Sequence, residues 1–247
     1  MGKRRRQQQK LSPPVPAEAM APRRRAYAGA SVSRLTSDWV TAGTSADSEI
    51  KASLSRLRNR ARQLVRDNDY ARRAVCTIKN QVVGTGIRLQ MQVRMQRGGG
   101  RLDAAINDAI ETAWATWCRK ETCDVAGRLS FQDLERMAIG AMAESGEVFI
   151  RLVRQPFGGG RAPLALQVLE ADLLDETWSG GSTAPGNSWR MGIEVDEWGR
   201  PVQYAFHRKH PGDTSFGGNP GDRHLFIPAD EILHLFIAER PGQSRGV

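Results

Sequence analysis

The stretch SFQDLERMAIGAMAESGEVFIRLVR, Ser130–Arg154, decides the fold class. Ser130 followed by Asp133 three residues on has the form of a capping box, and Leu134, Met137, Ala138, Ala141 and Met142 then recur at helical spacing. Gly146 ends that pattern. Beyond it Glu147–Arg154 reads as a strand, so Glu144 falls at the end of a helix and Glu147 at the start of a strand. A chain that is helical before this joint and stranded after it is α+β, not an alternating doubly wound sheet.

Toward the N-terminus the pattern is helical. After Asp47-Ser48, either of which can cap a helix, Ile50, Leu54, Leu57, Ala61 and Leu64 fall on one face. Arg56, Arg58, Arg60, Arg62 and Arg66 lie mostly outside that stripe. Burying a large aliphatic is worth roughly 1.5–3 kcal/mol and a surface ion pair about 0–1, so the apolar stripe sets how the helix sits. The arginines are then expected on a solvated face, with a polyanion path or a subunit contact as the alternatives. Asp67-Asn68-Asp69 breaks the chain, and a second helix follows through Ala71, Ala74, Val75, Ile78 and Val82 to Gly84. Ile87, Leu89, Met91 and Val93 alternate with polar residues and predict a half-buried strand, with a loop at Gly98–Gly100. A third helix over 103–118 carries Ile106, Ile110, Ala113, Trp114 and Trp117, a stripe that reads as core.

Toward the C-terminus, Leu164–Leu169, Met191–Val195, Pro201–His207 and His224–Ile227 read as strands, with turns or loops at Gly158–Gly160, Gly180–Asn187, Trp198–Arg200 and Pro211–Asp222. Asp196–Gly199 has the form of a hairpin turn. The expected organisation is a basic arm over 1–46, disordered or ordered by a partner, a mainly helical segment with one strand over 47–145, and a β-rich segment over 146–247. The last two are expected to form one domain. No internal repeat is evident.

Composition bounds the function. The 247 residues are 40% hydrophobic and 26% charged, ordinary for a globular protein, and no apolar run approaches a membrane span. The basic N-terminus has no apolar stretch behind it and is not a secretory signal. Cys76, Cys118 and Cys123 are scattered and odd in number, which suits free thiols in a reducing compartment. The net charge of +9 is concentrated. Residues 1–25 hold eight basic groups (Lys3, Arg4, Arg5, Arg6, Lys10, Arg23, Arg24 and Arg25) against Glu18, a net of +7, which leaves +2 for the remainder. These eight residues form a candidate polyanion-binding arm that could neutralise phosphates, with a solubilising tail as the equal alternative and a nuclear-localisation signal as a weaker one.

No self-contained catalytic site is legible. The P-loop pattern is absent, as are H-E-x-x-H and G-x-S-x-G, and Gly84-Thr85-Gly86 reads as a turn. His207, His210, His224 and His234 have no C-x-x-C partner and read as scattered surface or hydrogen-bonded side chains. Glu144 with Glu147, or Glu170 with Asp172, could share a proton or Mg²⁺ as in a hydrolase, but carboxylates at such joints commonly satisfy backbone amides and arginines. No enzyme, cofactor or metal is expected.

Six stretches in order carry a resemblance: RARQLVRDNDYA (60–71) leading to VVGTGI (82–87), GEVFIR (146–151), LQVLEAD (166–172), GIE (192–194) leading through GRPV (199–202) to Tyr204, IPADEILHLF (227–236) and RPGQSRGV (240–247). From about residue 50 to the last residue the chain resembles the lambda-type portal proteins of tailed bacteriophages. The resemblance implies a structural subunit of a homo-oligomeric ring, typically a dodecamer, at one vertex of the phage head in the virion. Double-stranded DNA passes through that ring. Implied partners are the large terminase subunit, which is the separate ATPase, together with capsid, scaffold and head-completion proteins, and no membrane. Assembly is expected in the bacterial host cytoplasm. Family members continue past the segment matching Arg240–Val247 into stem, channel and crown helices, so the chain is expected to hold the wing-like region and to be incomplete at its C-terminus. The alternative is an oligomeric nucleic-acid-binding protein acting through the basic arm.

Overall fold

The computed structural model describes residues 27–95, 100–213 and 224–247. It divides into two units, Met1–Gly43 and Thr44–Val247. The described part of the first unit holds one short 3-10 turn, Ala28–Ala30, and leaves Tyr27, Val32, Leu35, Trp39 and Val40 exposed.

The second unit begins with α1 (Ala46–Asp67) and α2 (Asp69–Val83). Ser45 caps α1 by accepting from the Ser48 amide, ahead of the expected Asp47 or Ser48. Asp47 instead accepts from the Ser244 amide at 2.8 Å. Asn68 caps α2 by accepting from the amides of Tyr70 and Ala71, and Gly84 ends it at φ 54°. The apolar stripe on α1 is only partly used: Leu54 is sealed, but Leu57 and Leu64 are exposed. Arg58 is buried, against the expectation of a solvated arginine face. The reason is a pair of carboxylates facing α1, described below. α3 (Ala104–Trp117) is capped by Asp103, and a short α4 (Lys120–Cys123) follows. α5 (Phe131–Ser145) starts with the full Ser130–Asp133 capping box and ends at Gly146, in the left-handed region at φ 81°.

The strand expected at Ile87–Val93 does not form. The segment is extended, and Leu89, Met91 and Val93 are half-buried in alternation, but no ladder flanks it. Its amides donate to helix side chains instead: Ile87 to Glu135 at 3.0 Å, Met91 to Glu111 at 2.9 Å and Val93 to Asn107 at 2.9 Å. Alternation reports which side chains are covered, not what satisfies the backbone. Gly98 and Gly99 of the expected loop lie outside the described residues, while Gly100 has φ 76°.

Among the described residues eight strands follow: β1 (Glu147–Val153), β2 (Ala165–Leu169), β3 (Gly180–Gly181), β4 (Ser188–Arg190), β5 (Ile193–Val195), β6 (Pro201–His207), β7 (His224–Pro228) and β8 (Ile232–Phe236). They make two antiparallel sheets, ordered β2-β1-β8 and β3-β4-β5-β6-β7. β3 and β4 arise inside and just after the stretch read as a turn, being too short to show a period, and β8 is apolar at every position except His234. Met191, expected to begin a strand, sits in a turn at φ 47°.

Strand alternation on β1 separates two cores. Phe149 points between the sheets and joins Leu174, Ile193, Tyr204, Phe206, Ile227 and Ile232. Ile150 and Leu152 point the other way, toward Leu134, Cys123 and the Trp117–Phe131 cluster. The cysteines are free thiols, and burial pushes Cys123 up to about 11. Among the described residues, no helix is long and apolar enough to cross a membrane.

Candidate functional site

Glu147 shares the inner face of β1 with Phe149, so its carboxylate enters the region between the sheets and is fully buried. An unpaired carboxylate there is prohibitively costly, and three elements distant in sequence converge to neutralise it. From the last residues, Arg245, itself fully buried, donates through Nε to Glu147 Oε1 and Oε2 at 2.9 and 3.0 Å. Its Nη1 donates to the Met191 carbonyl at 2.8 Å, and its guanidinium lies 5.8 Å from the Phe149 ring centre. From α1, Arg58 donates to Glu147 at 3.0 Å and to Asp172 at 3.0 Å. From β8, His234 meets Glu147 Oε2 at 3.1 Å, and the Gly246 amide donates to the same oxygen at 3.0 Å.

One turn along α1, Arg62 extends the network to Glu170 at 3.0 Å and to Asp172, and donates to Ser145 Oγ at 3.2 Å. The chain end is locked over this hub by two glycines in close approach. A Cβ on Gly246 would stand 2.2 Å from the Gly146 carbonyl oxygen. Only hydrogen fits.

Burial pushes the Glu147 carboxyl up, but the charge of Arg245 and the hydrogen bonds of His234 and Arg245 more than offset it and hold it at about 2. Burial also lowers His234, which outweighs the opposing pull of its Glu147 hydrogen bond and charge. The pair is therefore carboxylate and neutral imidazole near neutrality. Because the carboxylate only accepts, His234 Nε2 must carry the proton. Asp172 is raised by burial and lowered further by hydrogen bonds and charge from Arg58 and Arg62, ending below its ordinary value. A carboxylate in this setting binds no proton and reaches no solvent, so the Glu147 pairing does not provide a general acid or base.

Beside the hub a cavity of about 360 Å³ opens between α1, the turn after β2 and the end of β6, with Arg58, Arg62, Asp172, Asp175, His207 and His210 in its wall. Histidines that look scattered in sequence are here grouped. His207 and His224 stand opposite one another on β6 and β7 beside Asp175, and His210 lies near Glu170 and Asp172. A second cavity, about 470 Å³ and largely apolar, runs between α5 and the outer faces of Ile150, Leu233 and Leu235.

The eight arm residues, Lys3, Arg4, Arg5, Arg6, Lys10, Arg23, Arg24 and Arg25, lie outside the described residues. Of the two carboxylate pairs, Glu144 does not join Glu147 in the hub, whereas Glu170 and Asp172 do, through Arg62. Sequence reasoning missed Arg58 and Arg245 as buried partners and Arg62 as a half-buried one. The available signal was the arginine in RPGQSRGV flanked by small residues, which leaves room for a threaded side chain.

The family model for the phage portal protein, lambda family, matches residues 32–247. A probable portal protein of Halomonas phage phiHAP-1 is 34% identical over 241 residues, covering 95% of this chain and 45% of that protein. Portal protein B of Escherichia phage lambda is 22% identical over 218 residues, covering 84% of this chain and 39% of its own length. The portal protein of Escherichia phage N15 is likewise 22% identical, with 84% and 40% covered. The chain thus spans less than half the length of these relatives.

Proposed function

The chain belongs to the lambda family of phage portal proteins, and from that premise we propose that it is part of a structural subunit of the head-vertex ring through which double-stranded DNA is packaged and ejected. The observation that carries this reading is the extent of the match. Residues 32–247 include every helix of the second unit, both sheets and the buried charged hub. The hub supports a mechanical role. It joins α1, β1, β8 and the last residues through buried, charge-assisted bonds, and a ring subunit that bears load needs such elements fixed to one another.

In this reading the chain is not an enzyme; the energy for translocation comes from a separate terminase ATPase that docks on the ring. The ring is a homo-oligomer, typically of twelve subunits, assembled in the host cytoplasm and carried in the virion, with capsid, scaffold and head-completion proteins as its other partners. The segment 47–247 forms a wing-type domain, and the basic arm, Lys3 to Arg25, contacts phosphates. The test is electron microscopy of the complete gene product. Closed rings are expected, and a strictly monomeric product overturns the proposal. Deleting residues 1–25 tests the arm separately: ring assembly persists, while salt-sensitive DNA binding weakens.

A further inference from the structure

We propose that Asp175, His207 and His224 form a binding site for one divalent transition-metal ion of the Zn²⁺ class. The placement follows from the sheet. His207 and His224 are directly opposed in the β6–β7 register, so their side chains leave the same face, and their rings lie 5.1 Å apart at 32°. The third group arrives from outside the sheet. The Asp175 amide donates to the Ala205 carbonyl at 3.1 Å, which fixes that turn against β6.

The carboxylate of Asp175 is oriented by one oxygen and presented by the other. Oδ1 accepts from the Thr177 amide at 2.9 Å and the Thr177 hydroxyl at 2.6 Å. Oδ2 stands 2.8 Å from His224 Nε2 and 3.8 Å from His207 Nε2. The longer distance is beyond hydrogen-bond range, so a simple hydrogen-bonded triad accounts for one histidine only. An ion bound about 2.0–2.2 Å from each ligand in a tetrahedron sets those ligand atoms about 3.3–3.5 Å apart. The two distances bracket that value, and each has to change by roughly half an ångström. One candidate atom from each residue lies within 4.8 Å of the others.

Partnering at the carboxylates separates this triad from its neighbour. Glu170, Asp172 and His210 also converge, but Arg62 holds both acids and Arg58 holds Asp172, so an incoming cation meets two guanidinium groups. The contacts described for Asp175 are Thr177 and the two imidazoles. Asp175 and His224 are largely covered, with the Trp178 ring tilted at 51° and centred 4.8 Å from that of His224, while His207 borders the 360 Å³ cavity, which leaves room for a water as fourth ligand. Glu176 lines the same cavity and carries a buried carboxylate oxygen without a hydrogen-bond partner among the described residues. The ion takes the place of the proton on His224 Nε2, and that imidazole keeps its proton on Nδ1. Two N ligands and one O ligand favour Zn²⁺, Co²⁺ or Ni²⁺ over Mg²⁺, which prefers an all-oxygen octahedron.

The test is calorimetric titration of the EDTA-stripped full chain with Zn²⁺ and, separately, with Mg²⁺, alongside thermal unfolding. One equivalent of Zn²⁺ is expected to bind tighter than about 10 µM and to raise Tm, with Mg²⁺ inert. His224→Asn and His207→Asn are each expected to weaken binding by tenfold or more, roughly the scale on which even outer-shell partners of metal ligands act. His210→Asn is expected to leave it unchanged. His207, the more exposed of the pair, keeps the test valid if His224→Asn fails to fold as judged by circular dichroism. Absence of saturable Zn²⁺ binding below about 100 µM, or affinity unchanged in folded His207→Asn, overturns the proposal.

Discussion

Glu147 and Glu194 are two carboxylates sealed from solvent within the same pair of sheets, yet they are satisfied in opposite ways. Glu147 is met by two guanidinium groups, an imidazole and a backbone amide. Glu194, on β5, is met only by neutral donors: the Ser182 hydroxyl, Asn187 Nδ2 at 3.0 Å and Gln203 Nε2. All three donors to Glu194 come from within twelve residues of it, two from the loop joining β3 to β4 and one from β6. The partners of Glu147 lie 87 to 99 residues away. Burial raises both groups, and hydrogen bonds bring Glu194 below its ordinary value without any countercharge. A local turn can therefore bury a charge by supplying dipoles, whereas a junction between distant elements does so with opposite charge, and binds those elements together in the process.

The largest effect expected from this contrast is at Arg245. Arg245→Met removes the main countercharge and leaves Glu147 buried, for an expected loss of about 3–5 kcal/mol in urea unfolding. Combining it with Glu147→Gln should cost less than the sum of the two single changes, since neither charge is then stranded. Additivity would show that the hub is a set of independent bonds and break the comparison. A smaller effect comes from acid. Unfolded His234 takes up a proton as pH falls through about 6.5, and unfolded Glu147 near 4.5, while both folded values are lower. The unfolded state binds more protons in that range, so stability is present at neutral pH and falls with acid, Glu147 contributing roughly 3 kcal/mol between pH 4.5 and about 2. Unfolding midpoints at pH 8, 6, 4 and 3 should decline in that order, and the decline above pH 4.5 should shrink in His234→Gln. Smallest is Glu194→Gln, which keeps the shape and strands no opposite charge, with an expected cost of about 1–2 kcal/mol by the same measurement. A loss equal to that of Arg245→Met would erase the distinction between the two sites.

How much of this was legible in the sequence depends on the range of the interaction. The Ser130–Asp133 cap, the Gly146 stop and the start of β1 are set within a few residues and read correctly, as does the Asp196–Gly199 turn, with Gly199 at φ 78°. The α+β class follows from those joints. Ile87–Val93 misled because half-burial imposes the same alternation whether the backbone pairs with a strand or with Glu135, Glu111 and Asn107. Arg58 misled because a guanidinium has no periodic signature of its own, and its burial depends on carboxylates 89 and 114 residues later. The grouping of His207 and His224 with Asp175 required the β6–β7 register, which a sequence with a long intervening loop does not display.

The threading of Arg245 also constrains the order in which this part of the protein folds. Glu147 is made 98 residues before the guanidinium that neutralises it, and contacts of such separation close late because a long loop must first be ordered. Until they close, β1 carries a charge that resists entry into the core. The two sheets can form their local hairpins early, but sealing them against each other without a stranded charge waits until the segment carrying Arg245 has been drawn in. The region between the sheets thus acts as a checkpoint on synthesis, shut only by a chain that has been read through to Arg245.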